Sequence, residues 1–433
     1  MKAASEIPGP RLPRPVQTWL GVGWPMRSRL EMRKRYGRLF QTHDVLAGQM
    51  IHVADRDLIE QMFKWKPAQY RVSEPREIMQ PVTGPESILL LDGARHMRMR
   101  KLMLPPFHGE AIAHYADMIE AVTNRELDGW RPGQTVRTRT VAQSITLEVI
   151  IRAVFGVTDP ERIAEFKRLL PSLSAINPAL LLVQKDLGPR SPWGRFLARR
   201  DEVDRLLYDE IERRRADPDR DKRDDVLTLL LAARDEEGQG LTDRELRDEL
   251  ITLLLAGHET TATSIGWAFE RLLRTPAALE RLTAEVRAGE SDDYLEAVIK
   301  ETLRVRPVVT EVFRAPAEPT ELGGYRVEPG MQLAASIFLV QYDPELYPPD
   351  PEAFRPERFL DGAPEPYTWI PFGGGVRRCL GAAFAQLEMR IVIAAIVRRA
   401  RLRARRSRAE KARFRGVTLL PSRGGEAVVE SVS

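Results

Sequence analysis

The chain carries one sulfur nucleophile, Cys379, in the stretch Trp369-Ile-Pro-Phe-Gly-Gly-Gly-Val-Arg-Arg-Cys379-Leu-Gly-Ala-Ala-Phe-Ala. A helical pattern follows through Ile396, so the cysteine is expected at a helix N-terminus behind three glycines. Free backbone N–H groups and the positive end of the helix dipole would then point at the sulfur and favour thiolate over thiol. Glycines let the backbone come close to a flat ligand. A lone cysteine is by default a small buried hydrophobe; this context suits a metal ligand instead. With no second cysteine, a disulfide, a CxxC redox pair, a multi-cysteine zinc site and a four-cysteine iron–sulfur cluster are excluded.

A second concentration of chemistry is Ala256-Gly257-His258-Glu259-Thr260-Thr261, which sets polar groups inside an apolar helical stretch. Burying each costs roughly a few kcal/mol unless it is satisfied or used. A zinc-peptidase site is excluded because Ala262 stands four residues after His258, where the second ligand would be needed. A mid-helix threonine can return its hydroxyl to the carbonyl four residues back, here Ala256, and Gly257 lowers the resistance to a bend. The alternative is a satisfied polar patch in a core helix.

The element holding that cluster is readable. Thr242 and Glu245 form a capping box, Leu241 and Leu246 a hydrophobic staple, and the helix is expected to run to Thr275, before Pro276. About thirty residues long and apolar on nearly every side in its middle, it should cross the interior. Residues 39–53 and 325–340 alternate like strands, the second around the turn signal Glu328-Pro329-Gly330. The fold class is therefore mainly α with small β-sheets, and one body over residues 1–433 is expected, with a proline-rich N-terminal arm packed on it. Composition agrees: 43% hydrophobic and 30% charged residues make an ordinary globular chain. Sixty-six Lys and Arg interleave with sixty-two Asp and Glu, which argues against a nucleic-acid partner. No apolar run reaches the ~18 residues that span a bilayer, and no signal-peptide pattern opens the chain. A cytoplasmic protein without a membrane anchor is expected.

Phe372, Gly375, Arg377, Cys379 and Gly381 fit the FxxGxRxCxG pattern of the cytochrome P-450 superfamily, which the sequence resembles from end to end. Glu301-Thr-Leu-Arg304 looks like that family's ExxR, Pro356-Glu-Arg358-Phe359 like its PERF-type element, and residues 256–261 like its oxygen-binding helix. The resemblance implies haem b with Cys379 as axial thiolate. Phe372, Gly373, Gly381 and Ala256 would lie against the haem, and His96, Arg100, Arg314 and Arg377 would surround its propionates. His96 and Arg100, at i and i+4, share a helix face; alone they would read as surface charges. Glu301, Arg304 and Arg358 would form a structural ion triad. Thr260 and Glu259 would be the catalytic alcohol and acid, the first holding dioxygen and the second passing protons through water.

The implied reaction is monooxygenation, one oxygen atom entering a C–H bond. A peroxygenase, isomerase or C–C coupling enzyme shares every motif, and a haem sensor is the non-catalytic alternative. The implied donor is a separate ferredoxin or flavodoxin-type protein, docked where Arg377, Arg378, Arg390, Arg95, Arg98 and Lys101 would build positive potential. The family's variable pocket positions fall on Ile78, Met79, Val82, Leu253, Ala256, Val309, Val312 and Leu419, with an apolar lid segment at residues 176–183. A small hydrophobic substrate follows: a terpenoid, a steroid, or a fatty acid held by Arg71 or Arg76.

Overall fold

The computed structural model describes residues 1–45, 48–72, 77–107, 109–174, 184–185 and 187–433. The lid segment 176–183 and Arg76 lie outside the described residues. The helices that place the site are α1 (Arg14–Gly23), α2 (Pro25–Tyr36), α3 (Arg56–Lys64), α4 (Gly93–Met103), α5 (Thr138–Phe155), α6 (Asp243–Leu272), α7 (Asp293–Val305) and α8 (Ala382–Arg399).

Helix α6 starts as its sequence directs. The Thr242 hydroxyl accepts from Glu245 N at 3.2 Å, and the Glu245 carboxylate accepts from Thr242 N at 2.8 Å. It ends at Leu272 rather than Thr275, because Leu273 to Thr275 tighten into turns ahead of Pro276, which opens the next helix. Leu250, Ile251, Leu254, Ala262, Ile265, Ala268 and Phe269 are sealed from water on all sides of α6, so the core is built around it. Helix α5 lies closest. A Cβ added at Gly257 would stand 2.9 Å from Ile150 Cδ1, and one at Gly266 would stand 2.7 Å from Arg139 Cβ, so these glycines set how near α5 comes.

A five-stranded sheet flanks the helices: β1 (Leu39–Asp44), β2 (Gly48–Val53), β3 (Tyr70–Arg71), β4 (Glu311–Pro316) and β5 (Gln332–Ser336), in the order β1-β2-β5-β4-β3. Strand β2 runs parallel to β5 and the other pairs are antiparallel. The stretch read as strand over 325–340 is split: Tyr325–Val327 and Gln332–Ser336 are strands, whereas Ile337–Gln341 is a helical turn. Residues 337–341 are buried without alternation, which removes the period-two pattern a half-buried strand needs. The N-terminal arm packs on this sheet region through Ala4 and Ile7, and Lys2 and Ala3 pair in parallel with Tyr325 and Arg326. Among the described residues no single helix is long and apolar enough to cross a membrane.

Where α8 meets α6, Glu388 is 1% exposed against Thr261, and neither of its oxygens makes a well-formed hydrogen bond. Burial pushes its carboxyl well above the ordinary range, so it is held protonated. The folded state thus keeps a proton that the unfolded chain releases above about pH 4.3, and its stability falls as pH rises past that point. Glu388→Gln is expected to flatten this loss. The melting temperature of the variant, followed from pH 5 to pH 8, should fall less than that of the parent; equal slopes would show that Glu388 is ionised in the fold.

Candidate active site

The cysteine loop is pinned from three sides. Trp369 Nε1 donates to Lys300 O at 3.0 Å, Ile370 N to Gln341 Oε1 at 3.0 Å, and Cys379 N to Phe372 O at 3.0 Å. Gly375 adopts φ +64°, and an added Cβ would fall 2.2 Å from the Phe63 carbonyl of α3, so only glycine fits. Helix α8 begins at Ala382, which leaves Cys379 three residues before its first turn. Cys379 is set deep among protein atoms yet its side chain is accessible. Burial pushes the thiol up, against the lowering pull of the Gly381 N–H and of Arg100 and Arg378. A cation bound at the sulfur would add to that lowering pull and favour the thiolate, as the sequence reading expects.

Basic groups converge beside it. Period two along β4 sets Val312 and Arg314 on one face, α4 carries His96 and Arg100, and Arg377 comes from the loop. Arg314 is 1% exposed; it lies 4.4 Å over the Tyr70 ring and donates to Phe313 O at 3.0 Å, and its Nε has no partner. Arg377 reaches Asp92 at 2.8 Å and the Leu91 carbonyl, and its Nε is also unpartnered. Burial, then Arg377 and Arg100, drives His96 down to about 3, and burial lowers Arg314 to about 10. Asp92 is the one carboxylate among the groups acting on His96, so this cluster is short of negative charge. Two haem propionates would supply it, and the residues present fit that group.

On α6, Ala256 is exposed between buried Leu254 and His258. The Thr260 hydroxyl donates to Ala256 O at 2.7 Å, the back-bond its position predicts. His258 turns away, its Nδ1 2.5 Å from Leu254 O, while Thr146 of α5 donates to its carbonyl at 3.0 Å. Glu259 is not beside Thr260. One residue on a helix is a turn of about 100°, and its carboxylate is ion-paired with Arg139 and accepts from Gln143 Nε2 at 3.0 Å, both on α5. Arg139 is fixed by a further bond to Thr263 at 3.2 Å. Sequence reading missed Arg139 and Gln143; their signal was a polar pair at i and i+4 on an apolar helix.

Of the pocket positions, Leu253, Val309, Val312, Ile78 and Met79 are partly exposed. Val82 is 3% and Leu419 0% exposed, so both are packed and neither is open to a ligand. Leu419 is locked against α6, its carbonyl accepting from Trp267 Nε1 at 2.9 Å. Arg71 is exposed on β3. Of the expected docking cations, Arg95 pairs with Glu86, Arg98 with Asp235 and Glu245, Lys101 with Glu236, Arg390 with Asp292, and Arg377 points inward to Asp92, whereas Arg378 stays exposed. The acids come from segments distant in sequence, which charge counting along the chain could not pair. Glu301, Arg304 and Arg358 lie together, with Arg304 Nε 2.6 Å and Arg358 Nε 3.6 Å from the Glu301 carboxylate.

A single cysteine in a glycine-backed loop, a buried cation cluster wanting anions and a long interior helix with an open alanine define a haem-thiolate enzyme. Residues 10–427 match the family model described as Cytochrome P450, and the chain belongs to the cytochrome P450 family, the haem-thiolate monooxygenases. It is similar to the protein named cytochrome P450 135B1 of Mycobacterium tuberculosis (strain ATCC 25618 / H37Rv), 40% identical over 98% of this chain and 91% of that one. Cytochrome P450 138 of the same strain is 37% identical over 99% of this chain and 98% of its own. The solved cyanobacterial CYP120A1 with retinoic acid bound superposes with a TM-score of 0.83 at 25% identity, covering 98% of this chain and 99% of that one. The heme domain of cytochrome P450DA shares the fold, with a TM-score of 0.86 at 22% identity over 99% and 98% of the two chains. The family carries haem on a cysteine thiolate, and Cys379 is the one cysteine available.

Proposed function

We propose that this P450 hydroxylates a medium-sized hydrophobic substrate, a terpenoid, steroid or fatty acid, with dioxygen and electrons from a separate ferredoxin or flavodoxin-type protein. The observation that carries the reading is the open Ala256 on α6 next to a back-bonded Thr260, with Leu253, Val309 and Val312 partly exposed. Apolar lining of this kind binds by desolvating hydrocarbon, on the order of 25 cal/mol per Å² buried, and sets few fixed hydrogen bonds. Retinoic acid in the cyanobacterial relative, an apolar carboxylic acid, is a ligand of the same class.

When bound, haem b held by Cys379 supplies oxygen activation, the thiolate's electron donation favouring O–O cleavage. His96, Arg100, Arg314 and Arg377 would hold and desolvate the propionates, and Phe372, Gly373, Gly381 and Ala256 would contact the ring. Thr260 would be the alcohol on the oxygen side and Glu259 the proton source feeding it. Because Arg139 and Gln143 clamp that carboxylate, proton passage requires it to turn from α5 toward Thr260.

Thr260→Ala and Glu259→Gln are expected to keep substrate binding and to lower product formation by about 10²–10⁴-fold, electrons ending in hydrogen peroxide or water. The checks are product per electron consumed and the optical shift on substrate binding; unchanged product yield in both variants would remove the proton-relay assignment. Reaction under oxygen-18 gas separates monooxygenation from the rival chemistries. Labelled alcohol supports the proposal, whereas unlabelled or rearranged product overturns it.

A further inference from the structure

Helix α1 is built the wrong way round for a helix on a protein surface. Its uncharged polar residues face the fold: Gln17 is 5% exposed, donates to Leu12 O at 2.8 Å and accepts from His43 N of β1 at 2.9 Å. Thr18 accepts from Val45 N at 2.9 Å. The apolar residues face out. Val16, Trp19 and Val22 lie on the opposite stripe, with Leu12 ahead of them and Trp24 behind, and Trp19 and Val22 are each 61% exposed. Val45, also 61% exposed, adds to the patch beside Thr18. Of the ten large hydrophobics exposed among the described residues, these are six. An outward concentration of this kind marks an interaction surface.

The charge around it is predominantly positive. Residues 9–36 hold seven basic side chains (Arg11, Arg14, Arg27, Arg29, Arg33, Lys34, Arg35) and one acidic, Glu31. Arg29 and Arg33 turn inward to Glu311 and to the Leu339 and Tyr342 carbonyls, while Arg11, Arg14, Arg27, Lys34 and Arg35 stay exposed. Between the arm and α1–α2 runs a mostly apolar groove of about 310 Å³, lined by Pro10, Leu12, Leu20 and Trp24, with Arg27 and Arg35 and the single carboxylate of Glu31 at its edge. Trp19 and Trp24 meet edge to face, 4.6 Å between ring centres, at the outer surface.

We propose that this face docks on an anionic lipid bilayer, with α1 lying in the interfacial plane. Tryptophan side chains, an apolar stripe and a basic surround are what such a plane selects: rings and aliphatic groups enter at the headgroup level while arginines meet lipid phosphates. A second copy is the poorer occupant, because a two-fold contact through this face would set one basic surround against another. The docking is peripheral and does not depend on which substrate the enzyme takes.

The test uses the full-length holoprotein and two vesicle preparations, phosphatidylcholine alone and phosphatidylcholine mixed with phosphatidylglycerol. Co-sedimentation is expected with the mixed vesicles, to weaken in high salt, and to fall at least ~10-fold in Trp19→Ser/Val22→Ser, given the apolar area withdrawn. Arg11→Glu/Arg14→Glu should lose the preference for the anionic vesicles. All four side chains are exposed, so circular dichroism and the haem spectrum should not change in either variant. Tryptophan quenching by brominated lipid should be strong in the parent and reduced in Trp19→Ser. Failure of the parent to sediment with either vesicle overturns the proposal, as does equal sedimentation of parent and Trp19→Ser/Val22→Ser. A concentration-dependent dimer that the same double variant abolishes assigns the face to self-association and overturns it equally.

Discussion

Cys379→Ser is expected to abolish the red-shifted absorption of the ferrous carbon monoxide complex and to reduce turnover to background. The chain holds no other sulfur that could serve as thiolate, since Cys379 is its single cysteine. A serine hydroxyl stays protonated at working pH and cannot offer the anionic donor that tunes the family's haem. The change should act on ligation and not on folding. Cys379 has an accessible side chain, and the loop is held by backbone and tryptophan bonds that serine leaves in place. Circular dichroism and the melting temperature of the haem-free variant should match those of the haem-free parent. A variant that kept the red-shifted spectrum would refute the assignment of Cys379; one that lost its helix content would show that the loop, not the ligand, had been damaged.

What was legible in the sequence was set by short-range rules. The α6 start is a capping box, four residues long in its logic, and it formed as read. The Thr260 back-bond likewise spans four residues. The cysteine loop was visible because glycines must stand where φ is positive and where Phe63 leaves no room for a Cβ. What failed was long-range. Arg139 meets Glu259 across 120 residues, and Arg98 meets Asp235 across 137, so neither ion pair has a local signature. Most cations of the docking face read from linear charge are ion-paired for that reason. The outward stripe of α1 escaped notice because period alone says that a helix has an apolar face and not which way that face looks.

The largest effect on stability is expected at Arg304. Its Nε and Nη2 hold both Glu301 oxygens at 2.6 and 2.8 Å, and its other donor positions reach the Gln341, Pro351 and Ala353 carbonyls at 2.7, 2.7 and 3.0 Å. Glu301 in turn accepts from Arg355 N at 2.8 Å, and Arg358 ties the same segment through the Pro348 and Asp350 carbonyls. Both members of the pair are fully buried. Such a pair gives little net stability against a well-packed apolar replacement, but removing one partner strands a buried charge at about 3–5 kcal/mol. Set against a total of roughly 5–15 kcal/mol for a folded protein, that loss is a large share of the whole. Arg304→Ala also orphans three carbonyls in the segment leading to the cysteine loop, so the variant should accumulate as haem-poor, aggregation-prone protein. Arg304→Lys keeps the charge without the planar fork that meets two oxygens and the carbonyls together, and should be intermediate. Chemical denaturation, followed by circular dichroism on haem-free protein, reads the effect. Glu301→Ala and Arg304→Ala should each lower the midpoint sharply, and the double variant should lie well above the sum of the two losses, because both fully buried charges go together and Arg358 keeps its bonds to the Pro348 and Asp350 carbonyls. Midpoints within error of the parent would show that this cluster does not hold the fold. Additive losses would show that each side chain acts through its own backbone contacts and not through the pair.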